Sequence, residues 1–182
     1  MDPQAGDAII RFRSAGSHGV DVDHSAFTGK VPVAITFALV PDEERSVLIQ
    51  GLDAALHDFG ERRVQLLVVV DGDPVAVAAG LDVKVTLMAD DGLGGRLGAT
   101  PDGQGRIATV VLDNRGATVD TVWQLPVGDH ALAVLNALQH LADDFPERFE
   151  TLPDVSSAAA APDTITGTGT GALPDSSDRL PG

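Results

Sequence analysis

Two apolar runs, VPVAITFAL from Val31 to Leu39 and RVQLLVVVDGD from Arg63 to Asp73, limit the folds open to this chain more than any other feature. Each is rich in β-branched residues, apolar at consecutive positions and too short for a typical helix. That pattern fits a strand covered on both faces. Between the runs the period changes. Leu48, Leu52, Ala55, Leu56 and Phe59 fall on one helical face. Asp42, Glu43 and Glu44 fill the first turn, where negative charge meets the positive end of the helix dipole. Gly60 offers a stop signal. Strand, helix and strand make a βαβ unit, and such a crossover joins parallel strands.

The flanks extend this unit. Upstream, GDAIIRFRSAGSHGVDVDHSAFTGK holds two short extended segments about a glycine-punctuated turn, and the alternation of Val20, Val22 and His24 predicts an edge hairpin. Downstream, PVAVAAGL suggests a weak helix, VKVTLMAD (Val83 to Asp90) a further strand, and DGLGGRLGATPDGQGR one short helical turn. IATVVLDNRGATVDTVWQL reads as two strands joined at Asn114-Arg115-Gly116. A last helix, from about Asp129 to Phe145, carries Leu132, Leu135, Leu138 and Leu141 on one face, with Asp129 as its cap or first-turn acid. The fold class is α/β. Residues 1–150 are expected to form one domain. Residues 151–182, an acidic Ala/Gly/Thr/Pro-rich stretch, lack apolar bulk and are expected to form a disordered tail.

The formal net charge is −15, aspartate greatly outnumbers glutamate, and the only lysines are Lys30 and Lys84. Such a surface repels phosphate backbones and anionic lipids, so neither nucleic acid nor membrane is an expected partner. Adaptation to a salt-rich cytoplasm and an acidic bias of a GC-rich genome both account for the charge, and the halophilic reading is favoured. No apolar run reaches membrane-spanning length and no secretory pattern opens the chain, which predicts a soluble, cytoplasmic protein. Cysteine is absent. Disulfides, thiolate metal sites and cysteine nucleophiles are therefore excluded together.

Five weak motifs, in order, resemble the redoxin group, which includes the alkyl hydroperoxide reductase, thiol-specific antioxidant and other peroxiredoxin-type proteins. They are Gly6-Asp7 followed by Gly29-Lys30 and a strand ending Thr36-Phe37; VQLLVVVDGD; GGRLGAT; TVVLDNRG; and PVGDHALAVLNAL. The resemblance spans roughly residues 6 to 145. It implies a thioredoxin-like three-layer sandwich with a mixed central sheet and an N-terminal hairpin. It also implies a homodimer, paired through sheet edges or the loop around the first helix.

In that family the peroxidatic cysteine opens the helix after the first core strand, where the dipole and an arginine favour the thiolate. Counted from Phe37 the slot falls near Arg45, and counted from Pro41 near Leu48. The loop reads Pro41-Asp42-Glu43-Glu44-Arg45, so acids stand where an anion needs positive potential. Arg106 lies near the position of the family's supporting arginine, one residue early, and reads either as a relic or as a solvated cation. The expectation is a degenerate, non-catalytic binding or assembly protein with no cofactor and no metal. The alternative is an enzyme using carboxylates or a bound metal at the Asp42–Glu44 loop.

Other candidates are weaker. DGDP and ADDGLGG lack the ligand order of an EF-hand. Ser17-His18 is not a triad, because neighbours in an extended chain point to opposite faces. His18, His24, His57, His130 and His140 read as scattered surface or partly buried side chains, and Trp123 as core or sheet cover.

Overall fold

The computed structural model describes residues 9–99, 107–123 and 126–150. Within them the chain runs β1 (Arg13–Ser14), β2 (Val22–Asp23), β3 (Val33–Ala38), α1 (Asp42–Ala54), α2 (Leu56–Glu61) and β4 (Gln65–Val70). It continues through α3 (Pro74–Leu81), β5 (Thr86–Ala89), α4 (Leu93–Arg96), β6 (Ile107–Leu112), β7 (Thr118–Trp123), α5 (His130–Asp144) and α6 (Pro146–Phe149). The sheet has the order β5-β4-β3-β6-β7. β3, β4 and β5 are parallel, and β6 and β7 add antiparallel to the other side of β3. The two apolar runs are thus the central neighbours that the βαβ pattern demanded, with Val33 opposite Gln65 and Ala38 opposite Val70.

Consecutive apolar residues are needed because both faces of the sheet are covered. On one face Ala34, Ala38, Leu66, Val68, Val70 and Val111 meet Leu48, Ile49 and Leu52 of α1, Phe59 of α2, and Val134 and Leu138 of α5. Each fully buried Val, Leu, Ile or Phe among these contributes roughly 1.5–3 kcal/mol, and the two alanines less. On the other face Ile35, Phe37, Leu67, Val69, Met88 and Val110 are covered by Phe12 and Val22 of the N-terminal segment and by Leu93 and Leu97. The mixed sheet between two covering layers is the sandwich expected.

Local chemistry sets the connections. Asp73 caps α3 by accepting from Val75 N at 2.9 Å, with Pro74 in the first turn. The N-terminal segment lies along the outer edge of β5. Gly16 bridges Met88, Ser17 N donates to Leu87 O, Ala89 N donates to Ala15 O, and Leu87 N donates to the Ser17 hydroxyl. Only glycine fits at position 16, because a Cβ there would stand 2.5 Å from Val20 O.

Four expectations need correction. The first helix is two, broken at Ala55, whose backbone (φ −88°, ψ 0°) departs from the helix, and the bend keeps Leu56 and Phe59 on the core. His24 belongs to a 3-10 turn, His24–Ala26, capped by Asp23, so the hairpin alternation stops at Asp23. Trp123 is 45% exposed because β7 is the last strand of the sheet. Leu132 is 61% exposed, because the buried stripe of α5 is centred on His130, Val134 and Leu138, which recur at four-residue steps. The expected tail, residues 151–182, lies outside the described residues. Among the described residues no helix is long and apolar enough to cross a membrane.

Candidate functional site

β3 delivers the chain through Leu39 and Val40 to Pro41, which begins α1 without a side-chain cap. The first turn holds itself by other means. Arg45 N donates to Pro41 O at 2.9 Å, Ser46 Oγ donates to Asp42 O at 2.7 Å, and the Arg45 guanidinium folds back onto the Asp42 carboxylate. Arg45 is largely buried, at 17% side-chain exposure, whereas Asp42 stands out at 87%. Glu43 and Glu44 are exposed beside it.

The two residues counted for the slot differ in their surroundings. Leu48 is 1% exposed and part of the core, so it does not face the helix entrance. Arg45 does, and its charge is taken up by Asp42, which leaves Glu43 and Glu44 without a partner in the first turn. Their charges oppose the helix dipole's attraction for an anion. The three acids are strung along an exposed turn, and among the described residues no group of three or more His, Asp or Glu could hold a metal ion. Arg106 lies outside the described residues.

The sequence reading missed a buried polar relay beneath α1 and α5. Thr36 of β3 and Thr109 of β6 are cross-strand partners. Their hydroxyls are 2.7 Å apart, and Thr109 Oγ1 lies 2.8 Å from His130 Nε2 at the start of α5. All three residues are 0% exposed. His130 Nδ1 is buried with no partner among the described residues. Burial in this apolar layer lowers the His130 pKa to about 4, so the ring is neutral near pH 7. A signal was present in the sequence: Thr36 and Thr109 are lone polar residues at inward positions of otherwise apolar strands.

Two further polar anchors position elements. Asp53 of α1 accepts from Lys84 N at 2.6 Å and Val85 N at 2.7 Å, fixing the start of β5. At the β6–β7 turn Asp113, 2% exposed, accepts from Arg115 N, Ala117 N and Arg148 Nε. Asn114 donates to the carbonyls of Glu147 and Glu150, which ties α6 to the turn. The TVVLDNRG motif therefore builds a turn and docks the C-terminal helix.

No protein-family model matches the chain, and no curated protein sequence does. Solved structures do match. The alkyl-peroxide-reducing bacterioferritin comigratory protein of Xanthomonas campestris superposes with a TM-score of 0.60 at 20% identity, over 72% of this chain and 92% of its own. The peroxidoxin BcpB of Mycobacterium tuberculosis gives 0.59 at 19% identity, over 75% and 96%. A cysteine-to-serine mutant of PrxQ from Xylella fastidiosa gives 0.62 at 17% identity, over 74% and 92%. At these identities the likeness establishes the fold, which is the thioredoxin-like fold of peroxiredoxins. Fold alone does not carry an activity.

Proposed function

We propose that this chain is a peroxiredoxin-fold protein without thiol chemistry, acting by binding or assembly rather than by turning over peroxide. The observation that carries this reading is the entrance to α1. Arg45 fills the slot counted for a nucleophilic cysteine, it is paired with Asp42, and Glu43 and Glu44 flank it in a chain with no sulfur nucleophile. A peroxide anion would find neither a nucleophile nor positive potential there. The setting is a cytoplasm of high salt, in which a net charge of −15 keeps the protein soluble. The assembly is a homodimer formed through the outer edge of β7, a strand whose far side pairs with no other strand among the described residues.

The test is peroxide consumption with a thioredoxin-type reductant and reductase. The expected rate equals that of the blank without this protein. Turnover above that blank, retained after metal chelation, overturns the proposal. Sedimentation of the same sample tests the dimer, for which a monomer at all concentrations is the contrary result.

A further inference from the structure

Asn114, at the β6–β7 turn, is 0% exposed, and all but one of its polar atoms are engaged. Its backbone N donates to Arg148 O at 2.9 Å, and its backbone O accepts from Gly29 N at 2.8 Å. Its side-chain Nδ2 donates to Glu147 O and to Glu150 O, each at 2.9 Å. Two carbonyl acceptors fix which end of the amide is the nitrogen, so the atom left over is Oδ1. Among the described residues Oδ1 has no donor. Buried amide oxygens in folded proteins find a donor in the large majority of cases, because one left without a partner keeps the full cost of its lost hydration.

The direction of the chain supplies a donor. α6 ends at Phe149, and Glu150 leaves it with an extended backbone, φ −70° and ψ 144°. The next residues are Thr151, Leu152 and Pro153. Thr151 is β-branched and favours an extended backbone, and Leu152 is biased the same way by the proline after it. About an extended residue, the carbonyl before it and the amide after it project to one side, which is how a parallel ladder lets one residue bond both. About Thr151 those two groups are Glu150 O, already held by Asn114 Nδ2, and Leu152 N. A single primary amide can span them, its nitrogen giving to the carbonyl and its oxygen taking from the N–H. A cavity of about 470 Å³ beside the turn, lined by Ile9, Asp113, Arg115, Ala117, Glu147 and Arg148, leaves room for the chain. Ile9, 53% exposed, is an apolar seat on its rim.

We propose that the β6–β7 turn is a docking site for the chain's own residues 151–153, which run extended across it with Leu152 N donating to Asn114 Oδ1 and the Leu152 side chain against Ile9. Asn114 then grips the chain on both sides of Thr151, and α6 cannot leave the turn without breaking that grip. The folded domain ends at Pro153 rather than at Glu150. The site stands apart from the α1 entrance and from the way copies associate, so it neither needs nor supports the reading given for them.

Amide hydrogen exchange of the full chain, read residue by residue by NMR, tests the proposal. The Leu152 amide is expected to exchange about tenfold or more slowly than in a free peptide of the same sequence, the scale of one net hydrogen bond. A coupling across the hydrogen bond, from Leu152 N to the side-chain carbonyl carbon of Asn114, identifies the acceptor. Asn114→Ala should return Leu152 to the free-peptide rate, with far-UV circular dichroism checking that the variant is folded. Both the rate and the coupling are read on the unaltered chain, so the test stands even where that variant fails to fold. Exchange of Leu152 at the free-peptide rate, which leaves Oδ1 to a water molecule or to another segment, overturns the proposal. Slow exchange that persists in folded Asn114→Ala, or a coupling to a different carbonyl, overturns it as well.

Discussion

The imidazole buried at the start of α5, with one nitrogen on Thr109 and the other without a partner among the described residues, stays neutral in the folded chain down to about pH 4. His130 therefore links folding to pH. In the unfolded chain it takes up a proton below about 6.5; in the folded protein burial delays this until about 4. The unfolded state thus binds more protons between those values. Its stabilising contribution is complete above pH 6.5 and is lost as the pH falls toward 4, by about 3 kcal/mol at most. Urea midpoints measured across this range should drop steeply for the native chain and less so for His130→Gln. An equally steep fall in the variant would assign the acid sensitivity to other groups. The relay shows where sequence reading stops. Thr36 and Thr109 were visible as odd polar residues, but their meeting depends on the register of β3 against β6, two strands far apart in sequence. His130 joins them only because α5 crosses that pair.

At the scale of elements, patterning did most of the work. The runs ending at Leu39 and Asp73 were readable as neighbouring buried strands, since they are short, rich in β-branched residues and joined by a helical crossover. The acidic first turn at Asp42 and the Asn114-Arg115-Gly116 turn were legible because local chemistry alone specifies them. The break at Ala55 was not, as neither glycine nor proline marks it. The tie between α1 and β5 was equally hidden, since it rests on one carboxylate reaching two amides across the fold. Replacing Asp53 by alanine leaves the amides of Lys84 and Val85 without their acceptor and should cost about 2–3 kcal/mol in urea unfolding. Asp53→Asn, which keeps a carbonyl oxygen, should recover part of it. Faster amide exchange at Lys84 and Val85 in the alanine variant would locate the loss at the start of β5.

For the molecule as a whole, a formal charge of −15 sets self-repulsion against cohesion of the two apolar layers. Added potassium chloride should screen that repulsion, because the Debye length shrinks from about 10 Å at 0.1 M to about 3 Å at 1 M. The melting temperature is expected to rise across that range. A flat or falling response would mean that the acidity does not limit stability. The peroxiredoxin-like architecture was readable from the order of its elements; the state of the α1 entrance needed coordinates, because only they show Arg45 folded back onto Asp42 rather than open to solvent.

The strip of chain from Ala15 to Ser17 has a consequence for how large any complex can grow. It occupies the hydrogen-bonding margin of β5, so a second sheet has nowhere to attach on that flank. If two copies join through their β7 margins, each union uses up the side that the described strands leave open on both sheets, and propagation into a fibril halts at a closed pair.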